Sequence, residues 1–204
     1  KTDYVDLIQL FTPPLEKLPV EDMLETLNKL KEKGSVRAIG ISVKSPAEGI
    51  IALKYKDIVA LQTNLNMIDQ RAIDSGLLRS AEQQNVGIIA RTPLCFGFLT
   101  GQITDLNFGP SDHRSKWPLE QLKMWHNASR LLSEILPDPN WSLTYLALRF
   151  CMDSEGVTTV IPGPLITKEV ADNVSATKLP PLGPEIISMI RKIYDDNNQF
   201  SICK

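Results

Sequence analysis

The chain has 204 residues, 43% hydrophobic and 23% charged, with a formal net charge of -2. This is globular composition with no disorder signature and enough apolar residues for a substantial core. The near balance of charge, with no basic face, argues against nucleic acid as a main partner, and no apolar run is long enough to span a membrane.

In chain order, "YVDLIQL" at 4–10 predicts a strand that ends at Thr12-Pro13-Pro14. A helix follows over 20–34, with Leu24, Leu27 and Leu30 on one face, Glu21 and Asp22 in its first turn, lysines in its last and Gly34 as its stop. "SVRAIGIS" at 35–42 is a strand, Pro46 opens a short helix to 53, and "IVALQTN" at 58–64 is a strand again. The pattern then predicts one helix over 73–84, a strand at 86–91, and a long loop over 102–117. Helices follow at 119–136 and 142–152, a strand at 157–163, and helices at 167–174 and 184–194.

The five strands lack polar alternation, so they read as buried on both faces, as parallel strands under crossover helices are. Strands alternating with helices define the α/β class, either a doubly wound sheet or part of a (β/α) barrel. No G-x-G-x-x-G is present, so the dinucleotide fingerprint of the doubly wound fold is missing. Polar residues gather where the strands end: Ser42, Gln62 with Asn64 and Asn66, Arg91 with Thr92, and Pro162-Gly163. That placement favours the barrel, where every strand opens at its carboxyl end on the face that carries chemistry.

Cys95, Cys151 and Cys203 are odd in number and have no C-x-x-C spacing, which argues against a disulfide framework or a zinc set. A reducing, cytoplasmic setting is the expectation, and no signal-peptide pattern is seen. His113 and His126 have no partner at metal-ligand spacing. In the loop, Asp112-His113-Arg114-Ser115 offers Arg114 as a partner for a phosphate or an acidic substrate, or as a charge in water. Trp117, Trp125 and Trp141 read as core or pocket lining.

"TDYVDLIQL", "LNKLKEKGSVRAIGIS", "LQTNLNMID", "GIIARTPLCFGFLTG" and "VTTVIPG…EVADN", in this order and at these spacings, resemble the aldo-keto reductase family over almost the whole chain. The resemblance implies a (β/α)8 TIM-barrel type of fold, of which this chain would be a single domain holding the last five βα units. It also implies NAD(P)H-dependent reduction of a small aldehyde or ketone, with NADP as cofactor and NAD as the alternative.

By position, Ser42 and Gln62 resemble the pair that holds the nicotinamide carboxamide, with Val43 where the family has Asn. Arg91 resembles the residue stacked under the nicotinamide ring; a planar guanidinium can stack there, and its charge should favour the reduced cofactor. Thr92, Leu94, Gly97 and Leu99 resemble the pyrophosphate loop, whose glycines let backbone approach phosphate closely. Pro162 and Gly163 resemble the turn before the adenosine site, and Asp172 and Asn173 the acid and amide near the adenine. Glu169 would repel a 2′-phosphate, leaving Thr167 and Lys168 as its nearby partners.

The family's catalytic Asp, Tyr and Lys belong to earlier βα units, and its His falls on Phe11 in "QLFTPP". Phenylalanine neither donates a hydrogen bond nor takes up a proton. Tyr4 sits at the wrong end of its strand to serve as the acid. The expectation is therefore a fragment of a reductase-like protein, inactive alone. The alternative is a non-catalytic nucleotide-binding regulatory or pseudoenzyme module on the same fold.

Overall fold

The computed structural model describes residues 2–13, 15, 20–138 and 140–201. Pro14 and Cys203 lie outside the described residues. The chain divides into two compact units: Lys1–Asn64 with Arg71–Arg91 and Glu155–Thr159, and Leu65–Gln70 with Thr92–Ser154 and Val160–Lys204.

The strands are β1 (Val5–Phe11), β2 (Val36–Ser42), β3 (Ile58–Asn64), β4 (Gly87–Arg91) and β5 (Val157–Ile161), and they lie in the sheet in chain order. β1, β2, β3 and β4 pair in parallel, so their carboxyl ends share one edge. Between β1 and β2 runs α1 (Val20–Glu32), which buries Val20, Leu24 and Leu27. Each such side chain contributes about 1.5–3 kcal/mol when fully buried. α2 (Pro46–Ala52) starts on a capping box: Glu48 N–H donates to Ser45 Oγ at 3.2 Å, and Ser45 N–H donates to Glu48 Oε2 at 3.3 Å. With Pro46 in the first turn, four consecutive residues dictate where the helix begins.

Two expectations for the first unit need correction. The single helix over 73–84 is two, α3 (Arg71–Asp74) and α4 (Leu77–Gln83), because Gly76 takes φ +72° and breaks the turn between them. Burial on both faces holds for most of β2 and β3 but not for β1 or β5. These two are first and last in the strand order, and Val5 and Ile161 are exposed.

The second unit is mostly helical: α5 (Leu119–Ser133), α6 (Leu143–Asp153), α7 (Thr167–Ser175) and α8 (Pro184–Asp196). Leu122, Trp125, Ala128 and Leu132 of α5, Leu146, Ala147 and Phe150 of α6, and Ile190 and Tyr194 of α8 form its core. α5 ends three residues earlier than the sequence pattern suggests, at Ser133. The loop over 102–117 contains a 3-10 turn, His113–Lys116, that begins on an Asp112 cap. α7 buries none of its residues. Among the described residues, no helix is long and apolar enough to cross a membrane.

Candidate functional site

In the first unit, the parallel register sets Phe11 beside Ser42 and Ser42 beside Gln62, and sets Asn64 beside Arg91. The chain continues this alignment past the strands: Thr12 N–H donates to Ser42 O at 2.9 Å and Val43 N–H to Gln62 O at 2.9 Å. Ser42 is buried, and its Oγ donates to Gln62 Oε1 at 3.4 Å. Gln62 Nε2 donates in turn to Gln9 Oε1 at 3.4 Å. A hydroxyl and an amide are thus presented side by side at the carboxyl edge of the sheet, with a second amide behind them.

Phe11 stands at the end of β1 with 81% of its surface exposed, an apolar ring where the family resemblance calls for an imidazole. Val43 is buried and offers only its carbonyl, which accepts from Arg91 Nη2 at 3.1 Å. The Arg91 guanidinium is thereby tied to the strand ends.

In the second unit, Thr92 O accepts from Asn66 Nδ2 at 3.0 Å, and Asn66 Oδ1 accepts from Ile68 N–H at 3.0 Å. Asn66 is buried, and this anchoring role was not legible from its place in "LQTNLNMID". The segment that follows coils into a tight turn, Cys95–Thr100. Thr92, Cys95 and Phe96 take φ of +60°, +43° and +55°, and Gly97 takes +92°. Cys95 N–H donates to Thr92 O at 3.0 Å, while Gly97 N–H and Leu99 N–H both donate to Leu94 O, at 2.9 and 3.1 Å. The amide groups of Gly97 and Leu99 therefore close the turn itself. Leu99 is fully buried, as are its neighbours Phe98 and Cys95.

The turn is held by an aromatic cluster. Trp125 lies 5.5 Å from Phe96, 5.4 Å from Phe98 and 5.0 Å from Trp117, centroid to centroid. Arg114 braces it from the loop: Nη1 donates to Phe96 O at 3.3 Å, and the guanidinium sits over the Phe108 ring at 4.3 Å. The same guanidinium donates to Asp112 from Nη2 at 2.6 Å and from Nε at 3.0 Å. These hydrogen bonds, with that from Arg114 N–H, hold the Asp112 carboxyl down at about 2. Arg114 is thus neutralised within its own loop, rather than standing as a charge for an acidic ligand.

Pro162 and Gly163 follow β5, with Gly163 exposed. On α7, Asp172 Oδ2 accepts from Lys168 Nζ at 2.6 Å, and Asn173 is half-buried. Glu169 Oε2 accepts from Leu165 N–H at 2.6 Å and caps the helix start. Cys95 and Cys151 are buried thiols; burial pushes both well above the ordinary thiol range. Among the described residues, no group of His, Cys, Asp and Glu is placed to hold a metal ion.

The Aldo/keto reductase family model matches residues 1–195. L-glyceraldehyde 3-phosphate reductase of Escherichia coli O157:H7 is 30% identical over 188 residues, covering 85% of this chain and 54% of that protein. A probable voltage-gated potassium channel subunit beta of Oryza sativa subsp. japonica is 26% identical over 207 residues, covering 94% of this chain and 62% of that one. The solved structure of the glycerol dehydrogenase from Gluconobacter oxydans superposes with a TM-score of 0.81 at 26% identity, over 98% of this chain and 61% of that one. The chain thus spans between 54 and 62% of the length of these proteins.

Proposed function

This chain belongs to the aldo/keto reductase family, with a TIM-barrel-like α/β fold, and from that premise we propose that it supplies the nicotinamide-binding part of an oxidoreductase acting on a small aldehyde or ketone. It would then be the last five βα units of a barrel, and its cofactor NADPH, with NADH as the competing choice. The observation that carries this reading is the Ser42–Gln62 pair. A carboxamide has one carbonyl acceptor and an NH2 donor; a Ser hydroxyl donates to the first and a Gln Oε1 accepts from the second. The two groups stand side by side on paired strands.

When bound, a reduced nicotinamide supplies hydride to a carbonyl carbon. The chain's own residues hold and orient. Ser42 and Gln62 fix the carboxamide, Arg91 offers a planar cation beside the ring, and Thr92, Leu94, Gly97 and Leu99 belong to the pyrophosphate turn. Pro162, Gly163, Asp172 and Asn173 are the adenosine-side candidates. Lys168 is engaged by Asp172, and Glu169 adds negative charge at the start of α7. Both features weaken the hold on a 2′-phosphate at that end, and this is what keeps NADH as the competing choice.

The proton for the nascent alkoxide is the missing element. Phe11, in the position of the family histidine, has none to give, and the chain alone is expected not to turn over. Phe11 also favours a second reading, a nucleotide-binding module without catalysis, and the likeness to a channel beta subunit supports it. Titrating NADPH and NADH against the 204-residue chain by tryptophan fluorescence, followed by an aldehyde-dependent oxidation assay, tests both readings. Binding without turnover is what each expects of this chain alone, turnover sinks the claim of inactivity and the module with it, and no binding of either nucleotide removes the cofactor assignment.

A further inference from the structure

We infer that Gln9 is a positioning residue that sets which way the Gln62 amide faces and thereby makes Gln62 Oε1 the acceptor for a carboxamide NH2. This rests on the reading of Ser42 and Gln62 as the carboxamide pair. β1 and β3 are not neighbours; two strand spacings separate them, roughly 9.5 Å. Gln9 nevertheless reaches Gln62, its Oε1 accepting from Nε2 at 3.4 Å. The intervening strand makes the crossing feasible at one position. Gln9 is in register with Gly40, and a Cβ on Gly40 would fall 3.1 Å from Gln9 Cγ. The missing side chain is the channel along which Gln9 lies over β2.

The amide of Gln62 is chemically two-faced, and flipping it exchanges donor for acceptor. Gln9 Oε1 on one side takes the NH2 group and leaves the oxygen toward Ser42 Oγ. In that orientation, once the Ser42 hydroxyl rotates its single hydrogen away from Gln62 Oε1, an incoming carboxamide meets a donor at Ser42 and an acceptor at Gln62. In the flipped orientation, its NH2 would face another NH2. Gln9 touches neither ligand nor reacting atoms in this arrangement; it acts through Gln62. A purely structural Gln9 would fill space over Gly40 and have no preference for ligands that carry the carboxamide.

The test uses the 204-residue chain with Gln9→Leu, which keeps the bulk and removes the acceptor, and Gln9→Glu, which keeps an acceptor and cannot donate when ionised. The probes are NADH, ADP-ribose and the reduced 3-acetylpyridine analogue, whose ring substituent lacks the NH2. Gln9→Leu is expected to weaken NADH by about five- to tenfold, one hydrogen bond's worth. ADP-ribose and the acetyl analogue should then change by less than about twofold, and Gln9→Glu should restore NADH binding.

Equal weakening of NADH and ADP-ribose, or no change in either, overturns the inference. If the wild-type chain binds no dinucleotide, the carboxamide reading itself fails. The Gln62 side-chain NH2 resonances of the free protein then decide the positioning alone. They should shift and exchange faster in Gln9→Leu than in wild type and Gln9→Glu, and unchanged resonances overturn it.

Discussion

Asp112 and Arg114, two residues apart, form a closed bidentate pair in which the guanidinium edge meets the carboxylate while its face lies over Phe108. The same guanidinium joins the loop to the aromatic cluster, since Arg114 Nη1 donates to Phe96 O at 3.3 Å. Because the folded-state carboxyl sits at about 2, below its ordinary 3.8, its contribution is fully present above the ordinary value. It is lost as pH falls through about 2. Trp117 and Trp125 fluorescence should therefore change between about pH 4 and pH 2. Asp112→Asn should abolish that transition and loosen the loop at neutral pH. A pH profile identical in the variant would show that another group drives it.

Gly40 should tolerate no side chain. A Cβ there would lie 2.9 Å from Ala60 O and 3.1 Å from Gln9 Cγ, and the first of these is backbone that cannot step aside. Gly40→Ala is expected to cost about 1–3 kcal/mol in urea denaturation, the usual range for overpacking. A loss under a few tenths would mean that β2 and β3 slide apart freely at this point.

Arg149 and Asp153 are an ion pair one helical turn apart on α6, both side chains nearly buried. Asp153 Oδ2 also accepts from Leu182 N–H at 2.8 Å. Asp153→Ala leaves a buried guanidinium and an amide unsatisfied, and should destabilise by about 3–5 kcal/mol. The double change Arg149→Met with Asp153→Leu should cost far less than the single one, since it removes both charges. A double variant as unstable as Asp153→Ala would place the importance in packing rather than charge.

Neither Cys95 nor Cys151 should react in the folded protein. Burial raises both thiols, and the charge of Asp69 adds to the effect at Cys95, so the thiolate that attacks alkylating agents is scarce at neutral pH. Iodoacetamide followed by mass mapping should label these two positions only after denaturation. Rapid native labelling of Cys95 would reveal opening of the turn that contains it.

The sequence carried the elements whose signals are local. The α1 start is announced by Glu21 and Asp22, and the α2 start by Ser45, Pro46 and Glu48, because capping is settled within four residues. The split at Gly76 is not legible, since an isolated glycine within an apolar periodic stretch is compatible with a continuous helix. The Thr92–Gly101 turn is legible as a loop, but its conformation is not. A left-handed Phe96 contradicts that residue's own preference, and its ring packs against Trp125 of α5 and Trp117 of the preceding loop, contacts that no local pattern announces.

The same holds for the site. Ser42 and Gln62 were legible from where their strands end. Gln9 was not, because its partner is 53 residues away and only the register of three strands brings them together. Arg114 reads in the sequence as a partner for a phosphate or an acidic substrate, or as a charge in water, and its pairing with Asp112 depends on a loop conformation that the sequence does not announce.

Three L-residues within five positions, Thr92, Cys95 and Phe96, follow a backbone path of the opposite hand to the chain around them. Each costs about 1–2 kcal/mol relative to the right-handed basin, and Thr92, being β-branched, suits it least. Stereochemistry, more than side-chain chemistry, thus governs what this stretch accepts. A mirror-image D-residue at position 95 or 96 would sit in its own preferred basin. Ordinary substitution reaches that relief fully only through glycine and partly through Asn or Asp, and at position 96 any of these would also delete the ring that packs on Trp125.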